Sequence, residues 1–453
     1  MRVEVENVSS LIAEATDVER GWLRDFLTFE DSRKRYACGD GRVRLLNLVT
    51  HRFPSGLVPL VAAQARKAGF QISVLDLRQE PEADNGVHAH GAQTSVAWLR
   101  DYQVAAYYAA TSFKRGIIWA PTGSGKTEIF CALAQAISCR WLLLVHRAQL
   151  VKQAAERFEL RTGERAGRVA EGVWDAARVT CATFQTLARA LGTDRATGLL
   201  QGAGGLVVDE CHTLPAESFT RVAMAAKNAY WRIGLSGTPL ARGDRRSVMA
   251  IGALGPVIHR IRTEALVASG VLAKPRIRMV PCEQQSSRPT WQGVYGECVV
   301  RSKKRNAAVA RAVSSARKPC LVFVKEISHG RALLKLLQDR DVRADFVWGS
   351  DSVDRRASAV KNLVRGELDA LVCSVIFQEG LDVPELRSVV VGSGGRSIIA
   401  TLQRIGRGMR ATADKMDFEV WDIADRGNKL LERHARARAR AYESEGHSVE
   451  ATS

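Results

Sequence analysis

A glycine-rich turn that ends in lysine and threonine contains the first residues that could do chemistry. The segment IIWAPTGSGKTE places this turn after an apolar run and before a helix-compatible stretch. In such a turn backbone N–H groups can surround phosphates at a helix N-terminus, the lysine neutralises the β- and γ-phosphate oxygens, and the threonine hydroxyl binds Mg²⁺. The pattern predicts an ATP site with Mg²⁺. Its residues are Thr122, Gly123, Ser124, Gly125, Lys126 and Thr127.

Two adjacent carboxylates follow another apolar run, in LVVDECH. We expect Asp209 to hold Mg²⁺, directly or through water, and Glu210 to orient and deprotonate the attacking water. His212 is predicted to link the ATP site to the next motif, LSGTPL, in which Ser236 and Thr238 offer hydroxyls near a strand end.

Four further residues are candidates for ATP binding. LRDYQ precedes the glycine-rich turn by the length of one helix, and Gln103 can present an acceptor and donors to an adenine edge while Arg100 can stack on a base. Without the turn, LRDYQ would be interpreted as the start of an amphipathic helix. FQEGLDVPEL offers Gly380 and Asp382 on a loop after a predicted strand.

The basic segment QRIGRGMR has two possible uses, a grip on nucleic acid or a role in catalysis. On a helix, Gln403, Arg407 and Arg410 are four and three residues apart and share one face, whereas Arg404 points about 100° away. Two permanently charged guanidinium groups on one face suit a phosphate that is developing negative charge. We therefore predict that Arg407 and Arg410 act on ATP.

Two series of strand and helix patterns must position these residues. Their near-continuous apolar runs are typical of parallel sheets that helices cover on both faces. The fold prediction is therefore α/β, with two tandem parallel-sheet lobes after a small α/β domain at residues 1–80 and a linker at 81–95. The predicted strands are 116–120, 141–146, 178–184, 205–210, 232–237, 320–324, 344–349, 369–374, 388–392 and 418–423.

The charge balance favours a polyanionic partner. Lys and Arg total 66 against 48 Asp and Glu, a formal charge of +18, although a basic protein can also simply be soluble and basic. The basic tail, residues 431–453, is compatible with a solvated helix or with a contact to the DNA backbone. Nine scattered cysteines, an early run of acids and no long apolar segment predict a cytoplasmic protein without a membrane partner.

Together, the ordered segments LRDYQ, APTGSGKT, DECH, SGTP and QRIGRGMR resemble those of superfamily 2 helicases over residues 96–425. The segments GLSGTPLARGDRR and LVASGVLAKP resemble those of the XPB-like and phage UvsW-like branch. The resemblance implies RecA-like lobes at 96–265 and 266–430 and makes Arg407 and Arg410 arginine fingers. It also implies contacts to nucleic acid from Arg147, Thr183, Gln185 and Lys325.

The function that the resemblance implies is an ATP-dependent DNA helicase or translocase. It would act on duplex or branched DNA in recombination, repair or replication, in a bacterial or phage-infected cytoplasm, with replication or recombination proteins as possible partners. DECH in place of DEAD, SGTP in place of SAT and Gln403 in place of His argue against a DEAD-box RNA helicase. An RNA helicase, an ATP-switched clamp and a restriction-type translocase subunit stay open as alternatives.

Overall fold

The structure of the protein is a computed structural model. It describes residues 1–30, 40–81, 96–214, 216–237, 247–374, 383, 385–395, 411, 415 and 417–451. The chain divides into two units, Met1–Ile261 and Arg262–Ser453. No helix in the described ranges combines the length and apolarity needed to cross a bilayer.

The first unit begins with a small α/β region. In its described residues four strands form a sheet in the order β5-β2-β1-β6, in which only β1 and β6 are parallel. Strand β1 alternates half-buried and buried residues, so one face packs on the local core. The elements are β1 Arg2–Val5, β2 Ser9–Glu14, α1 Asp17–Phe26, β3 Thr28–Glu30, β4 Arg42–Arg44, β5 Arg52–Pro54, α2 Val58–Lys67 and β6 Ser73–Asp76.

A second sheet completes this unit, with the described strands in the order β10-β9-β11-β8-β12-β13-β7-β14. All neighbours are parallel except β9 and β10, and central strands such as β8 are buried at every residue. The elements are α3 Asp101–Phe113, β7 Arg115–Trp119, α4 Lys126–Ala136, β8 Trp141–Val145, α5 Ala148–Thr162, β9 Ala166–Ala170, β10 Val173–Asp175, β11 Val179–Thr183, α6 Phe184–Ala190, α7 Asp194–Gly202, β12 Gly205–Asp209, α8 Glu217–Ala225, β13 Trp231–Ser236, α9 Ser247–Leu254 and β14 Val257–Arg260.

The second unit contains a parallel sheet in the order β17-β18-β16-β19-β20-β15-β21, counted over its described residues. The elements are α10 Thr263–Ala268, β15 Lys274–Glu283, α11 Trp291–Val294, α12 Lys303–Ser315, β16 Cys320–Val324, α13 Ile327–Gln338, β17 Ala344–Val347, α14 Val353–Val364, β18 Ala370–Ser374, β19 Ser388–Val391, β20 Asp417–Arg426, α15 Lys429–Ser444 and β21 Val449–Ala451.

The predicted α/β fold class is confirmed, and each of the ten predicted strands corresponds to a strand of one of the two parallel sheets. The boundaries proposed for the lobes and the linker stay predictions, and residues 82–95 lie outside the described residues. The two interpretations of the tail, a solvated helix or a contact to the DNA backbone, stay open for its exposed residues but not for Arg438. Arg438 is buried against strand β20, so it is neither solvated nor exposed to a ligand.

Candidate nucleotide site

The glycine-rich turn joins the carboxyl end of β7 to the first residue of α4. Gly123 and Gly125 adopt left-handed backbone angles, with φ of 88° and 75°, and Gly125 is the N-cap of α4. A Cβ atom at Gly125 would lie 2.3 Å from Nε2 of Gln103. The left-handed backbone angles favour glycine at both positions, and a side chain at residue 125 would also have to displace the amide of Gln103. The turn directs the N-terminus of a helix at the position that phosphates occupy in sites of this kind.

Gln103 is fastened to this turn through its side-chain amide. Its Nε2 donates to the carbonyl oxygen of Ser124 at 2.8 Å, and its Oε1 accepts from the backbone N–H of Arg100 at 2.9 Å. Gln103 is buried, whereas the guanidinium of Arg100 is exposed near Tyr102. The predicted adenine contact of Gln103 is untested, but the amide already ties the start of α3 to the turn.

Lys126 is ion-paired with the second carboxylate of DECH. Its Nζ lies 2.5 Å from Oε1 of Glu210, and both side chains are largely buried. Burial opposes the charged lysine, but Glu210 and Asp209 raise the pKa of Lys126 above its ordinary value. Burial also opposes the charged Glu210, but the charge of Lys126, together with His212, brings the pKa of Glu210 below its usual range. Both groups therefore carry charge at neutral pH.

Asp209 and Glu210 have opposite environments although they are adjacent. Asp209 ends strand β12, and its Oδ1 accepts the backbone N–H of Glu210 at 2.9 Å. Burial raises the pKa of Asp209, and the attraction of Lys126 offsets this only in part. Glu210 has a left-handed backbone with φ of 47°, an uncommon conformation for a side chain of this size, which aims its carboxylate at Lys126.

A polar connection leads from the carboxylate to the neighbouring strand. Nδ1 of His212 lies 3.0 Å from Oγ of Ser236 and 3.3 Å from Oε2 of Glu210. Ser236 ends β13, which pairs with both β12 and β7. The predicted link through His212 is thus present in the geometry, while its role in coupling stays a prediction.

Two conserved-domain families match the chain over these segments. The family described as type III restriction enzyme, res subunit, matches residues 97–241, and the helicase conserved C-terminal domain matches residues 304–412. The first match contains the glycine-rich turn and DECH, and the second contains QRIGRGMR. The chain belongs to superfamily 2 of the helicases.

Named relatives place this helicase beside the XPB and UvsW proteins. The ATP-dependent DNA helicase uvsW of Enterobacteria phage T4 is 26% identical over 444 residues, which cover 89% of this chain and 86% of that protein. The DNA 3'-5' translocase XPB2 of Sulfurisphaera tokodaii is 24% identical, over 69% of this chain and 78% of the relative. The chain spans 64% and 54% of two other relatives, from a Sulfolobus islandicus virus and Halobacterium salinarum.

A solved structure supports the fold of this helicase. The ATP-dependent Type ISP restriction-modification enzyme LlaBIII bound to DNA matches with a TM-score of 0.57 and 15% identity. The match covers 78% of this chain and 31% of that enzyme. At this identity the likeness concerns the fold alone.

The nucleic-acid candidates of the first unit lie at the ends of two neighbouring strands, β8 and β11. Arg147 is the half-buried N-cap of α5. The exposed Gln185 donates from Nε2 to the carbonyl oxygen of His146 at 3.0 Å. The Thr183 hydroxyl is buried and caps α6 by accepting the N–H of Thr186. The structure thus brings three candidates to one sheet edge and shows that the Thr183 hydroxyl already has a structural role.

In the second unit, Lys325 is exposed directly after β16, with its Nζ 5.2 Å from the centre of the Tyr295 ring. Six predicted site residues lie outside the described residues, and so does Arg404. The six are Thr238, Gly380, Asp382, Gln403, Arg407 and Arg410.

One residue next to the glycine-rich turn was not predicted from the sequence. Glu128, directly after Thr127, receives a hydrogen bond from Nε of Arg161 at 2.7 Å and lies 3.5 Å from the guanidinium of Arg157. These pairs hold the first turn of α4 against α5. The signal available in the sequence was an acid in the first turn of a helix next to a second helix with arginines four residues apart.

Proposed function

We propose that this helicase is an ATP-dependent DNA helicase or translocase that unwinds or remodels duplex or branched DNA in recombination, repair or replication. One observation carries the proposal: the Lys126–Glu210 pair, 2.5 Å apart, directly behind the glycine-rich turn. It supports the proposal because the lysine predicted to bind phosphate and the carboxylate predicted to activate water are in contact. The names of the phage and archaeal relatives support DNA as the substrate.

ATP binding at this site requires an exchange of partners. The γ-phosphate of ATP would compete with Glu210 for Lys126, since both offer oxygen anions to the same ammonium group. The carboxylate that Lys126 releases would orient the attacking water and accept its proton. The depressed pKa of Glu210 in the pair keeps it ionised, so it is ready as a base when Lys126 turns to the phosphate.

The residues around the turn fit a magnesium nucleotide. The Ser124 hydroxyl is buried without a hydrogen-bond partner in the described part of the chain, and Thr127, in the first turn of α4, is half-buried. Hydroxyl and carboxylate oxygens are ligands that Mg²⁺ prefers, so Thr127 and Asp209 would hold the ion. The ion would neutralise phosphate charge. Phosphate oxygens and waters would complete the coordination.

Coupling and the remaining ATP contacts follow the family resemblance. His212, with Ser236 and Thr238, would transmit the state of Glu210 to the neighbouring strand. Arg407 and Arg410, with Gln403, would stabilise charge on the γ-phosphate. Gly380 and Asp382 would contact the nucleotide, and Arg100 and Gln103 would contact adenine.

Contacts to nucleic acid would come from both units and would address the backbone. Arg147, Gln185 and Lys325 offer side chains at strand ends, and the net charge of +18 adds a general attraction. Phosphate contacts carry affinity but little sequence information, so binding should be salt-sensitive and largely independent of sequence.

The test is DNA-stimulated ATPase activity in Lys126→Ala, with Lys227→Ala as the matched control because Lys227 is an exposed lysine in a turn of the same unit. We expect Lys126→Ala to lose at least ~100-fold in kcat, because the charge that stabilises the transferring phosphoryl group is removed. DNA binding should be unchanged, and the control should match the wild type. Normal hydrolysis by Lys126→Ala would refute the site.

Substrate class is tested separately, by comparing ATPase stimulation with linear duplex, forked DNA, four-way junctions and structured RNA. We expect DNA to stimulate ATP hydrolysis more than RNA does. Among the DNA substrates, forked and four-way DNA should stimulate it more than linear duplex. Strand displacement coupled to hydrolysis separates a helicase from an ATP-switched clamp, which would bind and hydrolyse without displacing a strand. Stronger stimulation by RNA would overturn the DNA assignment.

A further inference from the structure

The last long helix of the chain, α15, has one face in the core and one in solvent. Residues on its inner face are buried, and they include Leu431, His434, Ala435, Arg438, Ala441 and Tyr442. Its outer face presents four exposed cations, which are Lys429, Arg433, Arg436 and Arg440. The burial of Arg438 leaves the exposed ones on a single side.

The four exposed cations form a stripe, which we call the α15 stripe. They are spaced by four, three and four residues, so at 3.6 residues per turn they fall within a sector of about 60°. At a rise of 1.5 Å per residue the stripe is about 16 Å long. Arg438 lies on the opposite side of the helix, about 180° from Lys429.

The opposite side of the helix holds the stripe in a fixed position. Arg438 donates to both carboxylate oxygens of Asp422, from Nε at 2.8 Å and from Nη2 at 2.9 Å. It also donates to the carbonyl oxygens of Gly395 and Ile423, and the Tyr442 hydroxyl donates to Asp422 at 2.8 Å. A helix anchored in this way presents its cations without the ordering cost that a mobile tail would have on binding.

The stripe has excess positive charge, and an open groove lies among its own side chains. Among the described residues only Arg436 has a carboxylate partner, Glu432 at 3.2 Å, and that arginine is 74% exposed. The groove has a volume of about 530 Å³, and its walls are Lys429, Glu432, Arg433, Arg436, Ala437 and Arg440. No large hydrophobic side chain of α15 is exposed, so the helix lacks the apolar face with which amphipathic helices enter membranes.

We propose that the α15 stripe binds the phosphate backbone of DNA. The inference rests on the proposed function, because it names a DNA-binding surface of the same helicase. Duplex DNA carries about one negative charge per 1.7 Å of its axis, so a rigid line of cations about 16 Å long faces a dense row of phosphates. The stripe lies apart in sequence from Arg147, Gln185 and Lys325, and it places part of the DNA-binding charge on the second unit.

The test measures the dissociation constant for a duplex of mixed sequence at several salt concentrations. The variant carries Arg433→Gln, Arg436→Gln and Arg440→Gln, and its matched control carries Lys335→Gln, Arg340→Gln and Lys361→Gln, three exposed cations of the same unit. Each lost phosphate contact lowers the slope of log K against log salt by about 0.9. We expect the stripe variant to lose about 2–3 from the slope, and the control less than about 0.5. Replacing the same three arginines by lysine should retain the slope.

Each outcome decides the proposal. If the stripe variant keeps the wild-type slope, or if the control loses as much, the surface is not a DNA site. If the variant keeps DNA binding but no longer binds vesicles of anionic lipid, the stripe binds lipid and is not a DNA site. Basal ATPase activity without DNA and the thermal midpoint should match the wild type, which verifies that the variant is folded. A wild type that shows no DNA binding at all would instead refute the proposed function.

Discussion

Two buried ion pairs of this helicase differ in how completely their polar atoms are hydrogen-bonded. Arg438 and Asp422 form a saturated pair in which the arginine donates to both carboxylate oxygens and to two backbone carbonyls, and Tyr442 donates to the same carboxylate. Lys126 and Glu210 share one short contact, from Nζ to Oε1. The other oxygen of Glu210 has His212 beside it, with Nδ1 3.3 Å away, and that nitrogen also lies 3.0 Å from Oγ of Ser236.

The number of hydrogen bonds at each pair distinguishes a pair that stabilises the fold from a pair that takes part in function. Buried charges are stable when each polar atom has a partner, and every guanidinium nitrogen of Arg438 and both carboxylate oxygens of Asp422 have one. The pair at the glycine-rich turn is under-satisfied, and its carboxylate is held by a left-handed backbone at Glu210. Incomplete satisfaction and local strain are typical of sites whose groups must change partners.

The largest effect on stability should come from breaking the saturated pair. We expect Arg438→Met to lower the free energy of unfolding by about 3–5 kcal/mol, because it leaves the charge of Asp422 buried without compensation. Lys126→Met should cost clearly less, because its pair is less completely bonded. Urea unfolding of the two variants provides the measurement. Equal losses in the two variants would contradict the distinction between the pairs.

Replacing Asp209 is expected to change the free energy of unfolding by a smaller amount and in the opposite direction. Burial raises the pKa of this carboxyl in the folded state, so the folded protein binds the proton more readily, and stability falls as pH rises from the unfolded pKa through the folded one. At pH 7 the charged form therefore costs stability. We expect Asp209→Asn to be more stable than the wild type by about 1 kcal/mol at pH 7.

The control for this prediction is pH. The gain of Asp209→Asn should disappear at about pH 2–3, below the unfolded pKa of about 3.9, where the wild-type carboxyl is protonated in both the folded and the unfolded state. Unfolding by urea at both pH values tests this point. A gain that is independent of pH would mean that the raised pKa of Asp209 is not its cause.

The elements that the sequence predicted share one physical property. Strands such as β8 and β16 are continuous apolar runs because helices cover both faces of their sheets, and this pattern is visible without a structure. Strand β15 has no such run. From Lys274 to Met279 buried residues alternate with exposed or half-buried ones, and the strand contains prolines at 275 and 281, so a search for continuous apolar runs does not find it.

The residues of the site could be predicted from the sequence, but the contacts between them could not. The spacing in APTGSGKT and DECH identifies Lys126 and Glu210, yet their 2.5 Å contact depends on how β7 and β12 are placed in the sheet, with β13 between them. Gln103 was predicted to read adenine, and its bond to Ser124 depends on the approach of α3 to the turn. The α15 stripe was missed because the sequence alone did not reveal that Arg438 is buried.

The exchange of partners at Lys126 is tested most directly by Glu210→Gln, with binding of a non-hydrolysable ATP analogue and the rate of ATP hydrolysis measured on the same preparation. The neutral amide can no longer compete with the γ-phosphate for Lys126 and can no longer take a proton from water. We expect analogue binding to tighten by at least ~3-fold while kcat falls by about 100-fold or more. Weaker analogue binding, or hydrolysis at the wild-type rate, would contradict the account.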